Sequence, residues 1–317
     1  MNFPVFDLHC DTALELLGRN LNQGDNLRNN SLHIDLNRAK QLPAYAQCFA
    51  CFTTDCFPMA DGLTPETVFA KEEMVITAQI RENSDLIGQA FSARDIENNH
   101  VNGRMSGILT IEGTAGFGFD PLKLEELYQR GFRITTLGWN ENNPLTGSHL
   151  TGGGLTDRGR AYVKEAQRLG MLVDVSHISD DAFWDIISIA TAPVIASHSN
   201  SRAVWDVSRN LADEMFLAIC KSGGVVGINL YAEFLGKDPD LNTVCDHILH
   251  FLSLDPTGTH IALGGDLDGC DQLPKGFDGV QDYPKLAEAL LARGLDEQTV
   301  YNIFWNNALE VMRRCCT

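Results

Sequence analysis

The chain of 317 residues has no excess of basic side chains: 42 acidic residues face 24 lysines and arginines, for a formal charge of −18 at pH 7. A basic stripe that could follow a phosphate backbone is not expected, so nucleic acid drops out as a partner. No window approaches the ~18 consecutive apolar residues of a spanning helix. The N-terminus lacks the charged, apolar and small-residue regions of a removable leader, and no membrane partner is expected. The nine cysteines have neither metal-finger spacing nor the density of a small secreted framework. Apart from the adjacent Cys315 and Cys316 they are scattered singly, which reads as reduced thiols in a cytoplasm. Internal repeats, low-complexity tracts and Pro/Gly/Ser linkers are also missing. With 44% hydrophobic and 21% charged residues, the composition is that of a folded globular chain and not of an acidic disordered one.

What is present is alternation. Short apolar runs at 5–9, 46–52, 107–112, 132–137, 171–177, 193–198, 224–231 and 260–266 read as strands. Helical periodicity lies between them at 65–83, 122–129, 156–169, 180–190, 212–221 and 242–252, with two more helices starting at Tyr283 and Asp296. This pattern predicts a single α/β domain over 1–317, a closed (β/α)8 TIM barrel, with a doubly wound sheet as the alternative. A barrel gathers the C-terminal ends of its strands around one mouth, and those ends carry the unusual side chains of this chain. The Asn-rich stretch 20–30 and the Gly-rich stretch 140–154 follow strands and are expected on the same mouth.

His9 and Asp11 close the first apolar run, and residues i and i+2 of a strand point to one side, so both can hold one metal ion. The second such triplet, His33-Ile34-Asp35, lies in a polar loop and is read as structural. Glu112 ends the run from Gly107; its two oxygens can bridge two cations, which a histidine cannot do. His177 and His198 end consecutive strands, and neutral imidazoles suit zinc. Asp266, in Gly264-Gly265-Asp266-Leu267-Asp268-Gly269, follows the last strand directly and can move a proton; Asp268 competes for that role but reads as a turn residue. His100, His247, His250 and His260 fall outside the strand ends and are read as surface or packing residues.

These motifs, together with Leu155-Thr156-Asp157-Arg158-Gly159 and Ser208-Arg209-Asn210, resemble those of the membrane dipeptidase (renal dipeptidase) family of zinc peptidases, peptidase family M19, in its bacterial-type cytoplasmic form. The resemblance covers nearly the whole chain. It implies two zinc ions per chain, with His9 and Asp11 on one, His177 and His198 on the other, and Glu112 bridging. It implies dipeptide hydrolysis by a metal-bridged hydroxide, with Asp266 as the acid/base. Arg209 falls on the family arginine for the substrate carboxylate, and Tyr231 on a pocket-lining residue. Trp139 stands where animal members place a histidine that stabilises the tetrahedral intermediate, and His149 on the same loop is the candidate substitute. Other metal-dependent amidohydrolases, a deacylase or cyclic-amide hydrolase, remain the enzyme alternative, and a non-catalytic binding protein the other. A homodimer is the candidate assembly.

Overall fold

The computed structural model describes residues 3–18, 24–55 and 62–316. Its parallel strands are β1 (Val5–Cys10), β2 (Tyr45–Phe52), β3 (Ile87–Gln89), β4 (Met105–Glu112), β5 (Phe132–Thr136), β6 (Leu172–Asp174), β7 (Val194–Ile195), β8 (Val226–Ile228) and β9 (Ile261–Leu263). They pair in the order β7-β6-β5-β4-β2-β1-β9-β8, and a bridge between Ala196 and Val226 joins the two outer strands, so eight of them close a barrel in chain order. The ninth, β3, was not expected; it pairs with the first residues of β4 outside that circuit.

The helical layer comprises α1 (Thr12–Gly18), α2 (Leu36–Ala39), α3 (Pro65–Glu82), α4 (Ala93–Val101), α5 (Leu124–Arg130), α6 (Asp157–Leu169) and α7 (Asp180–Ile189). It continues with α8 (Asp213–Ser222), α9 (Ala232–Leu235), α10 (Leu241–Leu254), α11 (Tyr283–Ala292), α12 (Glu297–Tyr301) and α13 (Asn307–Cys315). Local chemistry sets their starts. Thr64, Thr156 and Ser179 each accept a hydrogen bond from the third backbone N–H ahead, and Asp240 opens α10 with a reciprocal capping box. The Thr156-to-Gly159 motif is therefore a helix cap, and Gly159 is needed there because a Cβ would meet the Leu145 carbonyl oxygen at 2.0 Å.

Side chains alternate between the barrel interior and the helices. Phe6, Leu8, Ala46, Cys48, Ile108, Ile134, Leu172, Ile195 and Ala262 form one buried cluster with Trp305, Leu309 and Met312, residues from the C-terminal segment that closes the strands' N-terminal end. Tyr45, Phe49, Leu109 and Ile111 instead join the larger cluster shared with the helices. Removing this apolar area from water, at roughly 25 cal/mol per Å2, drives closure.

The last four barrel strands are shorter than the apolar runs predicted. The Asp174 carboxylate accepts the backbone N–H groups of Ser176 and Ser197, which would otherwise extend the ladder. Further on, His177 (φ 70°) and Asp266 (φ 56°) adopt left-handed backbone that a strand cannot continue. In the 20–30 stretch, residues 20–23 lie outside the described residues, and α1 separates the stretch from β1. The segment after it still reaches the mouth: Asp268 Oδ1 accepts from the His33 N–H at 2.6 Å.

Candidate metal centre at the barrel mouth

The pairing of β1 with β2 shifts register between Asp7 and Cys10. Asp7 accordingly bonds outward to the Tyr283 hydroxyl in the helical layer, and the irregularity lets His9 turn into the mouth. His9 Nε2 then lies 3.3 Å from Asp11 Oδ2, 3.4 Å from Glu112 Oε2 and 3.7 Å from Asp266 Oδ1. Glu112, on the inward face of β4 with Ile108, presents its other oxygen to the opposite side. Oε1 is 2.9 Å from His177 Nε2 and 3.7 Å from His198 Nε2, and those two nitrogens are 2.9 Å apart. The His9 and His198 rings stack at 3.7 Å between centroids.

Surrounding groups decide which nitrogen carries each proton. His177 Nδ1 donates to Asn140 Oδ1 at 2.8 Å, and His198 Nδ1 donates to Ser197 Oγ at 2.6 Å while that hydroxyl donates to Asp174. Both imidazoles therefore turn an unprotonated Nε2 toward Glu112. Burial pushes the pKa of each well below the usual histidine range, helped by Arg209 for His177 and by His9 for His198. Burial likewise raises the Glu112 carboxyl to about 7 and shifts Asp266 upward, with Asp11 adding to both. Carboxylates crowded into a dry mouth resist charging unless cations compensate them.

The residues fit such cations. His9 Nε2 and Asp11 Oδ1 are buried without a hydrogen-bond partner. The distances around His9 are long for hydrogen bonds yet right for donors grouped about an ion held at ~2.0–2.2 Å from each. Gly269 keeps the cradle open, since a Cβ there would lie 2.2 Å from Asp11 Oδ2 and 2.6 Å from Asp266 Oδ1. Two donor groups, His9–Glu112–His198 and His9–Asp11–Asp266, overlap through His9 and together form a binuclear zinc-type site. Asp266 thus stands inside the donor group, whereas the sequence placed it beside the metals only as a proton carrier.

Arg209 borders the cluster at 4% exposure. Its Nη1 donates to Ser199 Oγ at 3.0 Å, and its Nε and Nη2 are buried with no partner. Tyr231 packs edge-on to Phe234 at 4.9 Å, and its N–H donates to Asn229 Oδ1. Trp139 lies 6.2 Å from the His177 ring and 5.2 Å from Phe52. His149 also reaches the site, 6.2 Å from His177, but burial and then Arg209 push its pKa down to about 4. This shift favours the neutral imidazole over the cation at pH 7. Both its nitrogens are occupied, by Ser208 Oγ and Asn140 Oδ1, each at 2.9 Å.

Three supporting residues, Asn140, Asp174 and Asn229, were not singled out from sequence. Asn229 Nδ2 donates to Asp266 Oδ2 at 3.0 Å, which aims the opposite oxygen at His9. Their available signal was a polar side chain closing an apolar run next to an expected ligand. Asp268 is more than a turn residue: it is buried, accepts from Thr12 Oγ1 at 2.6 Å, and donates its N–H to His33 Nδ1. His247 and His250 are structural: His247 accepts from the Ser201 N–H and donates to the Leu235 carbonyl, and His250 meets Asp213.

The chain is 30% identical over 335 residues to an uncharacterised dipeptidase of Schizosaccharomyces pombe, covering 98% of this chain and 81% of that protein. A metallopeptidase of Rhodobacter sphaeroides, solved with a phosphinate mimic of the dipeptide L-Ala-D-Ala, superposes with a TM-score of 0.87 at 26% identity, covering 99% of this chain and all of the other. The dipeptidase AC, a family M19 metallopeptidase, gives 0.89 at 28% identity, over 100% of this chain and 99% of that one. Residues 1–316 match the membrane dipeptidase family as a whole. With its barrel, its paired donor groups and this match, the chain belongs to the membrane dipeptidase family, peptidase family M19.

Proposed function

We propose that the protein is a zinc-dependent dipeptidase whose site takes small dipeptides by their free carboxylate. One observation carries this reading: a buried guanidinium with two unpaired nitrogens, on Arg209, faces a binuclear donor cluster. A carboxylate that meets Arg209 in a two-point ion pair would place the neighbouring peptide bond over Glu112 and Asp266. His9, Asp11 and Glu112 would hold one cation, and Glu112, His177 and His198 the other, with Asp266 at the edge of the first. When bound, the pair of cations supplies Lewis acidity to the scissile carbonyl and to the attacking water.

Asp266, held through Oδ2 by Asn229, would take the water's proton on Oδ1 and deliver it to the amine nitrogen as the C–N bond breaks. Trp139 and Tyr231 would wall the pocket and keep water from the reacting atoms. His149 would brace Asn140 and Ser208. The dipeptide mimic bound by the Rhodobacter sphaeroides relative supports the same substrate class here. The range 1–317 would act as one catalytic unit in the cytoplasm, free of nucleic acid and as a homodimer. The free state of all eight described cysteines supports that compartment. No described helix is long and apolar enough to cross a membrane.

The test is a kinetic panel on the zinc-loaded protein: L,L and L,D dipeptides, their C-terminal amides, and N-acylated amino acids. Dipeptides should be hydrolysed and amides rejected. Preferred turnover of N-acylated amino acids would instead make the protein a deacylase.

A further inference from the structure

We propose that Cys220, Asp255 and His260 form a third divalent-metal site, for zinc or a similarly thiophilic ion, on the barrel face opposite the catalytic mouth. One donor atom from each residue lies within 4.8 Å of the others. They come from three places that meet only in the fold: the last turn of α8, the C-cap residue just after α10, and the residue before β9. Helix C-termini and strand N-termini share the face away from the mouth, so this group is separate from the His9 cluster.

The chemistry around each donor suits a cation. His260 Nδ1 donates to the Gly224 carbonyl oxygen at 2.7 Å, so the proton sits on Nδ1 and Nε2 keeps its lone pair. A backbone carbonyl fixing the tautomer in this way is the usual support of a zinc-binding imidazole. The Asp255 carboxylate is oriented by Thr257, whose Oγ1 donates to it at 2.8 Å. Cys220 contributes sulfur and is only partly buried, so an ion can reach it. One sulfur, one nitrogen and one carboxylate oxygen, with a position left for water, match zinc, cobalt or cadmium and not magnesium or calcium. On binding, the thiol gives up its proton to solvent and the thiolate becomes the ligand. The ion would tie the 255–260 connection to α8.

The thiolate makes the site readable by itself, because the mouth clusters contain only nitrogen and oxygen donors. Protein holding two zinc ions per chain, with the third site left empty, is titrated with cobalt(II) and followed in the near ultraviolet, where thiolate-to-cobalt charge transfer absorbs. We expect the band to saturate at one cobalt per chain beyond the two zinc ions at the mouth, and added zinc to displace it. Cys220→Ser should abolish the band and leave dipeptide turnover unchanged. Absence of the band from the wild-type protein at saturating cobalt overturns the proposal, and so does a band that survives in Cys220→Ser. Should that variant fail to fold, Asp255→Asn serves: its half-saturation must move to higher cobalt, and an unchanged titration also overturns the site.

Discussion

Asp266 and Asp268 are two residues apart, both buried and both in left-handed backbone, yet they face different partners. Asp266 looks at His9, whereas Asp268 ties Thr12 to the backbone of His33. Asp266→Asn keeps the size and loses the proton acceptor. It should lower kcat by ~10²–10⁴-fold while two zinc ions remain bound, measured by metal analysis beside steady-state kinetics. A variant that holds one zinc would move Asp266 from proton carrier to ligand. Asp268→Asn should leave kcat within a few-fold and cost about 1–3 kcal/mol of stability in urea unfolding, because a buried hydrogen-bond hub loses an acceptor. Arg209→Met should raise KM for dipeptides, with kcat/KM falling by the equivalent of about 2–5 kcal/mol, and should erase discrimination against dipeptide amides. A variant that still rejects the amide would assign carboxylate recognition elsewhere.

Among the elements, the ends of β5, β6 and β7 act together. Thr136, Ser176 and Ser197 all bond to Asp174, and Ser197 in turn orients His198. The loop after β5 contributes Asn140, which orients His177 and is itself held by His149. Removing Asn140 frees the His177 ring without touching a ligand. Asn140→Ala should therefore weaken the zinc held by Glu112, His177 and His198 by about 10–100-fold and spare the one beside Asp11. Competition against a chelator of known affinity separates the two ions. Equal loosening of both, or of neither, would show that Asn140 does not set the His177 tautomer.

For the molecule as a whole, the mouth is a place where stability and catalysis depend on the same ions. Asp11, Glu112 and Asp266 are buried around His9, and without cations their mutual repulsion opposes closure of the barrel end. Chelation should abolish turnover and lower the melting temperature. Restoring zinc at 1,000 times its Kd should return about 4 kcal/mol, read by scanning calorimetry with and without chelator. An unchanged melting temperature after verified metal removal would show that the fold does not rely on its ions.

The barrel and the positions of His9, Glu112, His177 and His198 were legible in the chain itself. Apolar runs that end in a polar side chain record burial along the strand and exposure at the mouth, and eight such runs with helical spacers have few other solutions. Helix starts were legible for the same local reason, since a capping hydroxyl or carboxylate acts within three residues. The tertiary structure decided whatever depends on neighbours distant in sequence. It shortened the last strands through Asp174, neutralised His149 through burial, and re-aimed His9 through an irregularity in β1. It also joined Cys220, Asp255 and His260, and made Asp268 a support and not a free turn residue. These outcomes follow from desolvation and from hydrogen bonds between residues up to 276 positions apart, which periodicity along a chain does not encode.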